Sequence, residues 1–113
     1  MLKISTLNRK ERIALEDFRK RIERQLRGKV ISIKLFGSKA RGDFRKDSDL
    51  DVLVVLKGNE HNLRDRIYDI VTEVLLEYDV YISVKVYFED EFKYLNSLPT
   101  IFMQLVNRDG IPL

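Results

Sequence analysis

Two aspartates, Asp49 and Asp51, stand one residue apart at the start of an apolar segment that ends at Leu56. Side chains alternate between the two faces of a β-strand, so a strand here places both carboxylates on one face. Two neighbouring negative charges repel each other and lose hydration unless a cation or solvent compensates them. Mg²⁺ meets this need, because it prefers carboxylate oxygens together with substrate phosphates and water. We therefore predict that Asp49 and Asp51 bind the metal and act in catalysis, against the alternative of a solvated strand end.

A second feature, Gly37-Ser38, follows an apolar segment, and ten residues separate Ser38 from Asp49. Glycine lets backbone N–H groups approach an anion without a Cβ in the way, and serine adds a hydroxyl. A helical turn that begins here contributes the partial positive charge of its N-terminus. This junction predicts that Gly37 and Ser38 bind the phosphates of a nucleotide, with an ordinary strand-ending turn as the alternative.

The segment between these two features is basic. Arginine can contact a phosphate through two N–H groups, and lysine acts as a point charge. We predict that Arg41 contacts the nucleotide, while phosphate contact and a solvated loop both remain open for the whole basic set. That set consists of Lys39, Arg41, Arg45 and Lys46.

The hydropathy pattern indicates which elements position these residues. Apolar residues three to four apart predict long helices over residues 8–27 and 59–78, the first opened by a capping box from Asn8 to Glu11. Apolar and β-branched residues predict three strands, of which the second is apolar on both faces, as in a central strand. Those strands cover residues 30–36, 49–56 and 80–88.

The remaining segments complete the predicted fold. A helical turn is expected over residues 38–42, a surface loop over 43–48, and short helices over 89–95 and 99–108. Helices and strands then follow in the order α-β-β-α-β-α-α. Three strands with these helices predict an α/β (α+β) fold, in which helices flank a small mixed β-sheet.

Length and composition narrow the class of protein. The 113 residues fit one domain, residues 1–113, and a hydrophobic share of 44% with 35% charged residues indicates a globular chain. Cysteine is absent, which excludes thiolate metal sites and favours hard cations held by oxygen. Residues 1–10 lack the apolar stretch of a signal peptide, and no apolar run reaches the roughly 20 residues of a membrane helix. A cytoplasmic protein that does not associate with membranes is therefore expected.

One signature spans both polar features: GSKARG at residues 37–42, then DLD at residues 49–51. It resembles the GS-x10-DxD signature of minimal nucleotidyltransferases of the DNA polymerase beta superfamily, of the MntA-like antitoxin type, and the resemblance extends over the whole chain. It implies a fold like the polymerase beta palm. It also implies magnesium-dependent transfer of a nucleoside monophosphate, typically AMP from ATP, to an acceptor hydroxyl. Gly37 and Ser38 would hold the triphosphate, Asp49 and Asp51 would bind magnesium, and a HEPN-type toxin would be the partner.

The chain departs from this family at one position. Family enzymes usually add a third carboxylate from a later strand, which helps to activate the acceptor hydroxyl. The strand predicted over residues 80–88 offers four polar residues and no carboxylate: Tyr81, Ser83, Lys85 and Tyr87. Asp79 and the acidic residues 89–91 lie at its ends and are the remaining candidates. A site with two carboxylates can bind a metal nucleotide and still transfer slowly or not at all.

Three functions therefore remain open. The first is an active nucleotidyltransferase, and the second is a nucleotide-binding antitoxin that docks onto its partner without turnover. The third and weakest is direct nucleic-acid binding, motivated by the basic segment and a net charge of +3. His61 is expected at the surface, since no second His or Cys accompanies it as a metal ligand.

Overall fold

The computed structural model describes residues 4–42 and 49–113, so the predicted loop over 43–48 lies outside the described residues. Helices and strands alternate along most of this part of the chain. In order they are α1 (Arg9–Gln25), β1 (Val30–Phe36), α2 (Ser38–Arg41), β2 (Leu50–Leu56), α3 (His61–Tyr78), β3 (Ile82–Phe88), α4 (Glu89–Asn96), α5 (Ile101–Asp109) and β4 (Ile111–Pro112). Every predicted helix and strand that lies within the described residues is confirmed, with ends shifted by a few residues.

The strands form one mixed sheet in the order β3-β2-β1-β4. β1 runs antiparallel to both β2 and β4, whereas β2 and β3 are parallel. The prediction of a central second strand is confirmed, because β2 lies between two neighbours and residues 52–56 are buried. The prediction of three strands is wrong. β4 has only two residues, which is too short to show any periodicity, and it pairs with Lys34 and Leu35 of β1.

The sheet separates two apolar cores of unequal size. The larger core lies on the face covered by α1 and α3 and receives four side chains of β2: Leu50, Val52, Val54 and Leu56. The smaller core lies on the face covered by α4 and α5, where Leu53 and Val55 pack with Phe36 and Val106. Because strand side chains alternate, Asp51 shares the face of Leu53 and Val55. The predicted carboxylate site therefore belongs to the side of the smaller core.

Helix α1 begins as predicted with a capping box. The Glu11 backbone N–H donates to Asn8 Oδ1 at 2.8 Å, and the Asn8 N–H donates to Glu11 Oε1 at 3.0 Å. The apolar stripe of α3 buries Ile67, Ile70, Val71 and Val74. The neighbouring Leu75 is 36% exposed. Within the described residues, no helix is long and apolar enough to cross a bilayer.

Candidate nucleotide and metal site

The two predicted metal ligands lie at the start of β2. The strand begins at Leu50, one residue later than predicted, so Asp49 precedes it and is exposed. Asp51 is half-buried inside the sheet, where it pairs with Phe36 of β1 on one side and Ser83 of β3 on the other. The aspartates thus differ in setting, with one in the solvent and one inserted between two strands.

The surroundings of Asp51 disfavour its negative charge. Burial raises the pKa of the Asp51 carboxyl above its ordinary value, and the neighbouring Asp49 carboxylate raises it further. The cationic side chains of Lys85 and Arg41 act in the opposite direction and offset part of this rise. Desolvation and like-charge repulsion both penalise a carboxylate, and a cation held between the two aspartates would relieve both penalties. The charges around Asp51 therefore fit a cation site.

Gly37 lies directly against the Asp51 carboxyl group. A Cβ placed on Gly37 would stand 2.4 Å from Asp51 Oδ2, so no larger residue fits here without movement. The backbone of Gly37 has φ 76° and ψ −158°, a conformation that is essentially restricted to glycine. The register that pairs Phe36 with Asp51 brings the end of β1 to the start of β2. Two features ten residues apart in the sequence thus meet in one place.

Ser38 opens the short helix α2. The N–H groups of Ala40 and Arg41 both donate to the Gly37 carbonyl at 3.1 Å, and the Gly42 N–H donates to the Ser38 carbonyl at 2.8 Å. The first N–H groups of a helix have no acceptor within the helix, and they carry its partial positive charge. The half-buried Ser38 therefore offers a hydroxyl and a helix-opening N–H next to the Gly37 turn.

The basic residues of this region divide into two kinds. Arg41 is exposed, and its charge lowers the pKa values of both Asp51 and Asp109. Its guanidinium group is therefore close enough to Asp51 to interact with it electrostatically. Lys39 does not lie there, and the hypothesis of a phosphate contact is wrong for it. Its side chain is 1% exposed and its Nζ lies 2.9 Å from Glu11 Oε2 of α1. Arg45 and Lys46 lie outside the described residues.

The strand expected to supply a third carboxylate presents a lysine instead. Ser83 is the β3 partner of Asp51, and Lys85 follows on the same face. Three of the four acidic residues at the ends of β3 have other partners: Asp79 lies 3.7 Å from Lys10, Glu89 lies 3.2 Å from Lys93, and Glu91 accepts the Phe88 N–H that caps α4. Among the described residues there is no group of three or more His, Cys, Asp or Glu side chains that could hold a metal.

Sequence reasoning missed two charged neighbours of the site, Lys85 and Asp109. Lys85 was noted only as a polar strand residue, although the parallel register of β2 and β3 brings its charge near Asp51. Asp109, at the end of α5, interacts electrostatically with Arg41, which also acts on Asp51. The pKa of Asp109 is lowered mainly by a hydrogen bond from Arg108. Neither proximity could be obtained from spacing, because both depend on which strands and helices are neighbours. The binding roles of Gly37, Ser38, Arg41, Asp49 and Asp51 remain predictions.

Comparison with known proteins agrees with this architecture. Residues 15–105 match the family model described as the nucleotidyltransferase domain. A Methanocaldococcus jannaschii protein, provisionally named a protein adenylyltransferase, is 38% identical over 82 residues, which cover 73% of this chain and 78% of that protein. The chain therefore belongs to the nucleotidyltransferase domain family.

Solved structures share the fold. A protein provisionally described as a minimal nucleotidyltransferase is 29% identical with a TM-score of 0.52, over 88% of this chain and 95% of that one. A chain of the MntA–HpeT toxin–antitoxin complex is 22% identical with a TM-score of 0.56, over 87% of this chain and 70% of that one. The resemblance to minimal nucleotidyltransferases is confirmed, and so is the mixed sheet with flanking helices.

Proposed function

We propose that this chain is an enzyme that transfers a nucleoside monophosphate, AMP from ATP, to an acceptor hydroxyl. The observation that carries the proposal is the contact between the Gly37 turn and the Asp51 carboxyl group, where a Cβ on Gly37 would lie 2.4 Å from Oδ2. This contact joins a turn suited to phosphate and a carboxylate suited to a cation in one site. Family membership and the name of the Methanocaldococcus relative support the reaction class.

Each site residue has a role in this proposal. Backbone N–H groups at Gly37-Ser38 and the Ser38 hydroxyl bind the triphosphate, and Arg41 neutralises part of its charge. Asp49 and Asp51 hold Mg²⁺, an ion that prefers a few carboxylate oxygens completed by substrate phosphates and water. When bound, Mg²⁺ supplies positive charge that stabilises the phosphates in the transition state.

The transfer itself exchanges one phosphorus–oxygen bond for another. The acceptor oxygen forms a bond to the α-phosphorus while the bond from that phosphorus to the oxygen bridging to the β-phosphate breaks. Pyrophosphate leaves, and the hydroxyl proton passes to solvent. The protein contributes mainly by holding the triphosphate in line with the acceptor.

We further propose that the acceptor hydroxyl belongs to a HEPN-type toxin and that this chain acts as its antitoxin. Two similarities support the proposal. The Methanocaldococcus relative is named for a protein substrate, and the fold is shared with a chain of a toxin–antitoxin complex. The signature at residues 37–42 and 49–51 also resembles that of minimal nucleotidyltransferases of the antitoxin type.

Radiolabel transfer tests the proposed reaction. The purified chain would be incubated with a HEPN-type protein, MgCl₂ and ATP labelled at the α-phosphate. A parallel reaction would contain ATP labelled at the γ-phosphate instead. Label should enter the HEPN protein only from the α-position, because the γ-phosphate leaves in pyrophosphate. Absence of transfer from α-labelled ATP, or equal labelling by the Asp49→Asn variant, would refute the enzyme proposal.

A second candidate function is nucleotide binding without transfer. It is favoured by Lys85, which lies on the strand that was expected to supply a third carboxylate. With Ser83 opposite Asp51 and Lys85 next on that face, the described part of β3 offers no carboxylate to activate the acceptor. The chain would then bind a nucleotide and dock onto its partner without transfer. Isothermal titration with ATP, combined with a pyrophosphate assay in the presence of the partner, separates the two functions. Nucleotide binding without pyrophosphate supports the binding module, and pyrophosphate release refutes it.

The raised pKa of Asp51 predicts a pH dependence for Mg²⁺ binding. Below its pKa the carboxyl is protonated and neutral, so a proton competes with the metal. Because burial and Asp49 raise this pKa, the loss of Mg²⁺ affinity should begin at a higher pH than for an ordinary aspartate. Titrations of the chain with MgCl₂ at stepwise lower pH would measure the loss. In the Asp51→Asn variant, the part of the pH dependence that comes from Asp51 should be absent. A pH profile identical to that of the wild type would contradict the prediction.

Replacing Lys85 by methionine is expected to strengthen Mg²⁺ binding. The ammonium group of Lys85 stabilises the charge on Asp51, but it also repels a cation bound there. Removing one charge near a partly exposed site should raise the affinity by about two- to fivefold at low salt, and less at high salt. Lys57→Met, the same change at the opposite end of β2, should leave the affinity unchanged. Equal or weaker Mg²⁺ binding by Lys85→Met would contradict the prediction.

A further inference from the structure

A buried ion pair joins the short helix α2 to the long helix α1. Lys39 Nζ lies 2.9 Å from Glu11 Oε2, with 1% of the lysine side chain and 12% of the glutamate side chain exposed. A lysine charge removed from water is costly unless a carboxylate and good geometry compensate it. In this arrangement the Lys39 ammonium faces α1 and cannot touch a nucleotide at the surface. Its role must therefore differ from that of the exposed Arg41.

The Glu11 carboxylate is itself held in place from the other side. While Oε2 faces Lys39, Oε1 accepts the Asn8 N–H at 3.0 Å. The Asn8 side chain in turn accepts the Glu11 N–H at 2.8 Å. Both carboxylate oxygens thus have partners, and the rotamer of Glu11 is set by the cap of α1. The first turn of α1 therefore fixes the position of the Lys39 side chain.

The main chain of α2 is tied to the same region. The Thr6 hydroxyl donates a hydrogen bond to the Lys39 carbonyl. Thr6 also lies close to Gly42, at the end of α2, where a Cβ would stand 3.5 Å from Thr6 Cγ2. Residues 6–11 therefore contact α2 through both its backbone and its buried side chain. A helix of four residues has almost no stability of its own, so such contacts must determine where it lies.

We propose that Lys39 and Glu11 form a positioning pair that holds the Gly37-Ser38 turn against Asp51 in the geometry needed to bind a triphosphate. Neither residue contacts the nucleotide. This inference rests on the proposed nucleotide-binding function of that turn. Its physical reason is pre-organisation: a turn that must be ordered during binding loses affinity for its ligand. Of the two proposed metal ligands, Asp51 belongs to β2 and Asp49 directly precedes it, so Mg²⁺ binding alone should not depend on the pair.

The test compares nucleotide affinity with stability in single and double variants. Lys39→Met leaves Glu11 buried without its cation and should lower the melting temperature. The double variant Lys39→Met/Glu11→Gln removes both charges, and the amide oxygen of Gln can still accept the Asn8 N–H, so most of the stability should return. Its affinity for ATP with Mg²⁺ should nevertheless fall by about tenfold, while its affinity for Mg²⁺ alone stays that of the wild type.

Two further variants keep the test decisive. Thr6→Val removes only the hydroxyl that binds the Lys39 carbonyl and should weaken ATP binding by about threefold even if the buried pair tolerates no change. Lys29→Met/Glu60→Gln, the same double change in an exposed ion pair between the residue before β1 and the residue before α3, should alter nothing. If Lys39→Met/Glu11→Gln and Thr6→Val both bind ATP with wild-type affinity, the positioning role is overturned while the proposed function stands. Failure of the wild-type chain to bind ATP would overturn the proposed function together with this inference.

Discussion

Replacement of Asp51 by asparagine is expected to reduce nucleotidyl transfer by about a thousandfold or more while leaving the fold at least as stable as the wild type. Loss of one of the two proposed metal ligands removes several kcal/mol of transition-state stabilisation, and each factor of ten in rate corresponds to about 1.4 kcal/mol. The side chain keeps its shape and loses its charge. Label transfer under saturating MgCl₂ would measure the first effect, and thermal unfolding without metal would measure the second.

The expected gain in stability has a specific origin. Burial and the Asp49 carboxylate both raise the pKa of Asp51, so the folded state disfavours the charge that this residue carries at neutral pH. A neutral amide removes that penalty, as often happens when a functional residue is replaced. Asp65→Asn, an exposed change on α3, should affect neither transfer nor melting temperature. Transfer within tenfold of the wild type, or a clearly lower melting temperature for Asp51→Asn, would contradict the prediction.

Replacement of Gly37 by alanine should damage both stability and transfer. The conformation of Gly37, with φ 76° and ψ −158°, costs any other residue about 1–3 kcal/mol. The new Cβ would also stand 2.4 Å from Asp51 Oδ2, so the carboxylate must move. A displacement of about 1 Å in a catalytic group can cost a hundredfold in rate, which is the loss expected for transfer here.

Gly58→Ala provides the matched control for this prediction. Gly58 has φ 77°, and a Cβ placed on it would meet no atom within 4 Å. This variant also places a Cβ at a positive φ but without any contact with the site, so it should lose stability and keep its transfer rate. Denaturant unfolding and label transfer on both variants separate the two effects. Equal transfer rates for Gly37→Ala and Gly58→Ala would show that the contact with Asp51 has no functional importance.

Sequence reasoning was most successful where a feature is local. The capping box of α1 needs only Asn8 and Glu11, three residues apart, and it is present as predicted. The apolar character of β2 on both faces likewise predicted a central strand, because burial on both sides leaves no polar face. The proximity of Gly37 and Asp51 was also expected, although through a resemblance to a family rather than from the spacing alone.

The failures concern contacts between distant parts of the chain. Lys39 reads as a phosphate-binding residue in a basic segment, but a partner 28 residues earlier, Glu11, draws its side chain into the interior. Glu11 itself was identified only as a cap, which uses one of its carboxylate oxygens. The charge of Lys85 near Asp51 depends on the parallel pairing of β2 with β3, which hydropathy does not specify. β4 was missed because two residues carry no pattern.

The unequal cores on the two faces of the sheet have a consequence for how such a protein can evolve. Alternation along β2 sends Leu50, Val52, Val54 and Leu56 into the larger core under α1 and α3, and sends Asp51 to the opposite face. Most of the buried apolar area that keeps the chain folded therefore lies on one face of the sheet, and the Asp51 carboxyl group lies on the other. Mutations in α4 and α5 can reshape the surroundings of the site while the larger core is left intact. Adaptation to a new acceptor then need not endanger folding.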